Sequence, residues 1–459
     1  MTVRAVILAA GKGTRMGCDL PKVLHQVAGR SLVSWVVAAV REAGADDVVV
    51  VIPKGADDLV AVLPDGVISV VQDLPGGTGH AAEVALGATA GAADDTVLVV
   101  PGDSPLLTAG TLRSLLEAHA AGGSACTMLT ARLADPSGYG RVVRDGERVS
   151  RIVEHVDADE ATLAIDEVAV STYVFRLGAL ARVLGDIGEA NAKGERYLTD
   201  VVAALVPDGV AAVAVTDPDE VLGVNTHEQL AGVAAVLRGR INGALMREGV
   251  DMPDPSRVYI DAAVSVGPGT TIYPGTHIEG RSSVGRGVRL GPEVFVADSE
   301  VADGARIWYS VVRGASVGPG VDVGPFASLR PGTVLHRDAK AGSFVEIKAS
   351  TVGEGSKVPH LAYVGDATIG EHSNIGAGTI TCNYDGYDKH ETHIGDRVFI
   401  GSDTMLVAPV SVGDDAITGA GSVITRDVSP GALAVERSAQ KEIPGYAERR
   451  ERLHQAEDE

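Results

Sequence analysis

Aromatic residues make up only 4% of this 459-residue chain, which has just two tryptophans and three cysteines. A core this poor in rings has to be filled by Val, Ala, Leu and Ile, a composition suited to parallel strands and stacked coils. Cys18, Cys126 and Cys382 lie far apart without paired spacing; this excludes a disulfide framework and a zinc cluster and points to a reducing compartment. Long apolar runs are also missing. No stretch approaches the ~18 uncharged apolar residues of a membrane span, and the chain runs directly into the strand-like VRAVILAAG with no apolar signal region, so a cytoplasmic location without a membrane partner is expected. Positive charge is scarce, with 39 Lys and Arg against 61 Asp and Glu, a net charge of −22 and a pI near 4.9. That balance excludes nucleic acid as a bulk partner. Any phosphate must be captured locally.

What the chain has is glycine, 57 residues of it, and a period of six. A small aliphatic residue recurs at Val266, Ile272, Ile278, Val284, Leu290 and Val296, then at Val317, Val323, Leu329 and Leu335. Six is neither the helical nor the flat-strand period. It fits a triangular parallel β-helix of hexapeptide repeats, where each short strand sends one aliphatic side chain inward and Gly helps the chain turn corners at positive φ. The prism is expected to begin near Tyr259 and to break at 336–351 and at Thr381–His393, and loops thrust out of a solenoid concentrate function.

Residues 1–230 alternate apolar strands (VRAVILAA, DDVVVVIP, TVLVVPGD) with helical segments around Leu32–Ala43, Gly79–Ala90 and from Thr108, the alternation of a doubly wound α/β sheet. Ligands of such sheets sit beyond the carboxyl ends of the strands, which places the loops at 10–22, 72–80 and 101–105 in one pocket. Residues 231–255 form a linker with a helical pattern over 231–250, stopped by Pro253 and Pro255. Residues 256–459 form the β-helix with a tail that turns polar after Val428.

Two groups of residues carry chemistry. After the first strand, GKGTRMG and PKVLH set a Gly-rich turn beside Lys12, Arg15 and Lys22, a cradle for polyphosphate in an otherwise acidic protein. Gly11, Gly13 and Gly17 space as GxGxxxG, which is neither the dinucleotide fingerprint nor a Walker A loop. Asp103, at the end of LVVPGD, projects a carboxylate able to hold a hard cation such as Mg²⁺, and Asn225 in VLGVNT offers an amide oxygen. Within the prism, LRPG, FVEIK, PHLAYVGD, NIGAGTITCNYDG, DKH and GSDT crowd polar and basic residues onto a surface otherwise made of Gly, Val and Ser. His360 beside Tyr363, near Lys348 and Arg330, suits an anion pocket with a base that accepts a proton from an attacking amine. Cys382 reads as a small residue packed beside a loop.

In their order, LAAGKGTRM, PKVLH, GGTGHA, GDSPLL, GYGRVV, IVEH and GVN resemble the sugar-phosphate nucleotidyltransferases. With the hexapeptide prism behind them, the chain from about residue 3 to about residue 445 resembles the bifunctional N-acetylglucosamine-1-phosphate uridyltransferase/glucosamine-1-phosphate acetyltransferase family. The resemblance implies a Rossmann-like α/β nucleotidyltransferase domain followed by a left-handed parallel β-helix. By it, Leu8, Ala9, Ala10, Gly11 and Lys22 hold UTP, and Gln72, Gly77 and Thr78 read the uracil. Asp103 and Asn225 carry Mg²⁺, Asn225 also lying against the UDP-sugar, while Gly140 and Glu154 contact the N-acetylglucosamine. In the second half His360 is the general base, and Arg330, Lys348, Tyr363, Asn374 and Lys389 bind glucosamine 1-phosphate. Asn383 and Tyr384 position substrate and acetyl-CoA, and Ser402, Ala420 and Arg437 line the coenzyme groove. The family also implies a homotrimer with acetyltransferase sites between neighbouring prisms, acting on small molecules.

One departure bears on the first activity. After Glu167 the family usually carries Asn, whereas this chain reads EVAVSTYVF with Ala169 at that place. One lost hydrogen bond costs about 0.5–1.5 kcal/mol, up to about 3 where a buried polar group is left unpaired. Pro101, where some members have Tyr, leaves the carboxylate of Asp103 in place. Two alternatives follow: an acetyltransferase whose nucleotidyltransferase half is retuned or weakened, and a trimeric nucleotide-binding scaffold.

Overall fold

The computed structural model describes residues 2–11, 13–88 and 91–457, excluding the side chains of Thr14 and Glu457. Lys12 and Ala90 lie outside them. The chain forms two compact units, Met1–Gly243 with Ile260–Ala262, and Ala244–Tyr259 with Ala263–Glu459.

In the first unit, seven strands lie in the order Val210–Ala214, Cys126–Arg132, Glu167–Arg176, Thr96–Pro101, Val3–Leu8, Asp47–Pro53 and Val67–Gln72. Glu167–Arg176 is antiparallel to both neighbours; the other pairs on this path are parallel. A hairpin of Arg141–Asp145 and Arg148–Val153 joins its Glu167 end. The run VVVV at 48–51 is apolar throughout because both sheet faces are covered: Val48 and Val50 enter one apolar cluster, Val49 and Val51 the other. This is the period of two in a doubly covered strand.

Leu32–Glu42 and Ala109–Gly122 supply the helical side of the first cluster, and Gly77–Gly87, Leu177–Leu184 and Asp200–Leu205 that of the second. The helix sought over 79–90 thus begins at Gly77. Thr108 caps Ala109–Gly122, accepting from the Thr111 N–H at 3.2 Å, and Gly123 closes that helix at φ +65°.

The helical pattern sought over 231–250 is realised as His227–Arg247. It starts earlier because the Thr226 hydroxyl accepts the Gln229 N–H at 3.2 Å. Val233 and Leu237 pack in a cluster with Met16, Leu32, Leu106 and Val224, so the front of this segment is part of the first unit's core.

The second unit stacks short strands into three parallel sheets of ten, nine and ten strands. Val266, Val284, Val301, Val317, Leu335, Val352 and Ile369 follow one another in register on one of them. The expected break at 336–351 does not occur: the coil passes through it in the strands Lys340–Ser343 and Glu346–Lys348. Ala341, fully buried, stands six residues after Leu335 and six before Ile347. A methyl fills the inward position, which a search for larger aliphatics overlooks. Five-residue steps, as from Val296 to Val301, account for the irregular stretch before Val317. The excursion after Thr381 is present between the strands Ile380–Cys382 and Thr392–Ile394. Beyond the last coil the polar tail includes an exposed helix, Tyr446–Glu457.

Candidate functional sites

In the first unit the turn after Val3–Leu8 folds back on itself. Gly13 sits at φ +59°, and a Cβ there would lie 2.6 Å from the Lys22 Cβ, so only glycine lets the phosphate-cradle turn pack on the lysine backbone. Lys22 is largely buried and its Nζ pairs with the Asp103 Oδ2. The same ammonium donates to Asn225 Oδ1 at 3.0 Å, and Arg15 Nη2 donates to that oxygen at 2.8 Å. The Asp103 carbonyl accepts the Val224 N–H at 3.0 Å, which fastens the strand end to the loop carrying Asn225. Burial pushes the Tyr139 phenol up, with the charge of nearby Asp103 adding to it.

Gln72 Nε2 donates to Gly77 O at 3.2 Å. The Gly77–Thr78 turn docks on the segment before Leu198: Gly79 N–H donates to Arg196 O at 2.8 Å, and Leu198 N–H donates to Thr78 Oγ1 at 3.0 Å. Gly140 O accepts the Ala169 N–H at 2.9 Å. Glu154 Oε1 accepts from the Thr199 hydroxyl at 3.0 Å, and burial pushes this carboxyl above its ordinary range despite that bond. Ala169 is 3% exposed and belongs to the cluster that holds Ile152 and Leu198. Leu8 to Gly11 follow at the strand end, with Ala9 N–H donating to Val51 O at 2.9 Å.

In the second unit Lys348 and Gly365 are register partners on one sheet, as are Glu346 and Tyr363. Gly365 is a point of close approach: a Cβ there would lie 2.5 Å from the Tyr363 hydroxyl and 2.8 Å from Asn383 Nδ2. Lys348 Nζ donates to both Asp366 oxygens at 3.1 Å, and Asn383 Nδ2 donates to Asp366 Oδ2 at 2.5 Å. Lys348 lowers the pKa of the exposed Lys389, as one positive charge beside another does, so positive charge gathers here for an anion. Burial raises the Asp366 carboxyl, but the bonds from Lys348 and Asn383 outweigh it and its pKa falls. Arg330 Nη1 bonds Glu346 Oε1 at 2.8 Å.

His360 ends the strand Lys357–His360 on the neighbouring sheet, in register with Ser343, and Asn374 lies on the next strand. The excursion carries Tyr384 and Lys389 opposite each other in an antiparallel bridge. Its form is held by Asp385, which accepts from His390 Nε2 at 2.7 Å and from the Tyr387 and Asp388 amides at 2.8 Å. Those bonds hold the Asp385 carboxyl far below its usual range. Ser402, Ala420 and Arg437 form a separate group further along the prism: Arg437 Nη1 donates to Ala420 O at 2.7 Å, and Gly421 N–H donates to Ser402 O at 2.8 Å.

Three residues of these groups have no role assigned from sequence. Asp366 and Tyr139 stand inside the motifs YVGD and GYGRVV, where the charge of Asp366 is a signal. Thr199 offers none, since an ordinary polar residue becomes informative only when a distant segment meets it.

A family model described as MobA-like NTP transferase domain matches residues 5–169. One described as bacterial transferase hexapeptide (six repeats) matches residues 391–426. Proteins named Bifunctional protein GlmU from Streptomyces avermitilis, Trichlorobacter lovleyi and Carboxydothermus hydrogenoformans are 47%, 48% and 46% identical to this chain. The matches cover 97%, 96% and 97% of it and 94%, 97% and 100% of the relatives.

Proposed function

The chain belongs to the bifunctional GlmU family, and from that premise we propose that it makes UDP-N-acetylglucosamine in two steps, N-acetylation of glucosamine 1-phosphate by acetyl-CoA and then uridyl transfer from UTP with release of pyrophosphate. It is a transferase with a nucleotidyltransferase unit and a hexapeptide acetyltransferase unit, the latter a left-handed β-helix. The observation that carries the reading is the presence of both polar groups in a chain aligned nearly end to end with bifunctional relatives.

In uridyl transfer, Lys22, Arg15 and the backbone of Leu8 to Gly11 hold the triphosphate, and Gln72 Oε1 accepts from the uracil ring. Glu154 and the Gly140 backbone hold the sugar, whose phosphate oxygen attacks the α-phosphorus in line as pyrophosphate leaves. Asp103 and Asn225 fit Mg²⁺: their two hard oxygens converge on the Lys22 ammonium, a point where positive charge already sits. When bound there, Mg²⁺ offsets negative charge on the α-phosphate and the leaving pyrophosphate.

In acetyl transfer, Arg330, Lys348 and Lys389 hold the phosphate, with Tyr363 and Asn374 on the sugar hydroxyls. The amine nitrogen attacks the thioester carbonyl, His360 accepts the amine proton, and the C–S bond breaks to release coenzyme A. Asn383, Tyr384, Ser402, Ala420 and Arg437 position the coenzyme. No acyl-cysteine is required, and burial raises the Cys382 thiol away from the thiolate form.

The enzyme works in the cytoplasm as a homotrimer built through the prism. Tyr309, Phe326, Phe344 and Leu361 occupy one corner on successive coils, all at positive φ. Phe326 and Phe344 are 56% and 59% exposed and stack at 5.3 Å. Bulky side chains held in a costly backbone region and left in water support a second copy covering them. The scaffold alternative has nothing in its favour, since a spacer has no use for Lys348 and Asn383 gathered on Asp366.

The test supplies glucosamine 1-phosphate, acetyl-CoA, UTP and Mg²⁺ to the purified chain and follows free thiol and pyrophosphate separately. Both products are expected; chelation of Mg²⁺ stops pyrophosphate and spares thiol. Continued pyrophosphate release in excess chelator would exclude the metal role.

A further inference from the structure

Asn225 Oδ1 has two lone pairs, and both are taken: one by Lys22 Nζ at 3.0 Å, the other by Arg15 Nη2 at 2.8 Å. The Asp103 Oδ2 is taken by the same lysine. A divalent cation bound through these oxygens would sit ~2.0–2.6 Å from each, in the space the ammonium fills and against like charge. Metal and lysine therefore exclude one another.

We propose that Lys22 and Arg15 are positioning residues that close the Asp103–Asn225 pair to free divalent cation and open it when the triphosphate draws them away, so that the cation enters with the nucleotide. This rests on the reading that Asp103 and Asn225 hold the metal. Both basic residues are placed to respond to phosphate. Arg15 lies in the short turn Thr14–Met16, anchored by the Met16 N–H to Gly13 O bond at 3.0 Å, and Gly13 packs on Lys22. The polyanion that needs the metal thus meets the two cations that block it, and their movement onto phosphate frees one oxygen of each metal-binding residue. The closure matters in a chain of net charge −22, which otherwise concentrates divalent ions near its surface. By reciprocity, nucleotide and cation strengthen each other's binding by the same factor.

The experiment measures Mn²⁺ binding to the full chain by the loss of free-ion paramagnetic resonance, with and without a UTP analogue carrying a methylene α–β bridge. The wild type binds Mn²⁺ weakly alone and tightly with the analogue. Lys22→Gln and Arg15→Gln each bind Mn²⁺ more tightly without nucleotide, by about 5–150-fold, and show less gain from the analogue; Lys22→Arg stays near wild type. Thermal unfolding checks that each variant is folded, and two independent variants guard against one that is not. Unchanged nucleotide-free Mn²⁺ affinity in both Gln variants overturns the closure. Wild-type Mn²⁺ binding by Asp103→Asn in the presence of the analogue overturns the metal reading instead.

Discussion

Asn383 and Asp366 are joined by a 2.5 Å hydrogen bond from the side-chain amide to the carboxylate that also receives Lys348. That bond ties the protruding segment to the coil beneath it. Without Asp366, Lys348 loses its counter-charge and Asn383 loses its anchor. Asp366→Ala is expected to lower kcat/KM for acetyl transfer by about 10- to 100-fold through lost positioning and to leave uridyl transfer alone. Full acetylation with an unaltered KM for glucosamine 1-phosphate would show that Lys348 needs no such holder.

His360→Ala removes the proposed proton acceptor while Arg330 and Lys348 remain to bind phosphate. Loss of a general base costs about 10²–10⁴ in rate. The loss is expected in kcat for thiol release, with pyrophosphate release from supplied N-acetylglucosamine 1-phosphate unchanged. Undiminished thiol release by the variant removes His360 from the role.

Much of this was legible in sequence for identifiable reasons. The Val-rich runs at 48–51 and 97–100 announce strands covered on both faces, and the six-residue spacing announces the prism, because each pattern follows directly from side-chain direction. Ala341 escaped notice because a methyl is enough inside so narrow a coil. Asp366 and Thr199 escaped because their meaning lies in what they touch: Asp366 draws together residues from separate coils, and Thr199 reaches Glu154 across 45 positions. The closure of Asn225 by Arg15 spans 210 positions, beyond any local pattern.

Glu167 opens the strand that carries Ala169. Its carboxylate, 8% exposed, receives Arg144 Nε at 2.7 Å and Nη2 at 2.6 Å. The Arg144 hydrogen bond leads the causes that hold its pKa below the ordinary value. A depressed folded pKa gives stability that is present above the unfolded value of about 4.3 and lost as pH falls through the folded value. Glu167→Gln is therefore expected to cost about 1–3 kcal/mol at pH 7, with the difference from wild type shrinking below about pH 4. Denaturant titrations of both proteins from pH 7 to pH 3 measure it, and a constant gap across that range contradicts the ion pair's contribution.

Phe326 and Phe344 give the proposed trimer a direct handle. Replacing both by Ser removes the stacked apolar corner without touching the inward positions of the coil. Sedimentation is expected to show the wild type as a trimer and the double variant shifted toward monomer at micromolar concentration, with acetyl transfer falling more than uridyl transfer because the family's acetyl sites lie between prisms. A double variant that remains fully trimeric places the contact elsewhere on the prism.

Ala169 remains the position where residue and family disagree. Its N–H donates to Gly140 O at 2.9 Å, and its strand shifts register between Ala169 and Tyr173. A methyl offers the sugar no hydrogen bond, whereas Lys22 and Arg15 of the proposed triphosphate cradle are in place. The wild type is therefore expected to show an ordinary KM for UTP and a raised KM for N-acetylglucosamine 1-phosphate. Ala169→Asn should increase kcat/KM for the sugar phosphate by about 2- to 13-fold, the equivalent of about 0.5–1.5 kcal/mol, and leave the UTP value unchanged. The same substitution places an amide in an apolar cluster with Ile152 and Leu198; without sugar the amide is poorly satisfied, and the apparent melting temperature should fall. Sugar phosphate should then stabilise the variant more than the wild type, because ligand and side chain satisfy each other. Steady-state kinetics and melting curves with and without sugar phosphate decide it: no gain in kcat/KM and no added ligand stabilisation would mean that Ala169 carries no functional consequence.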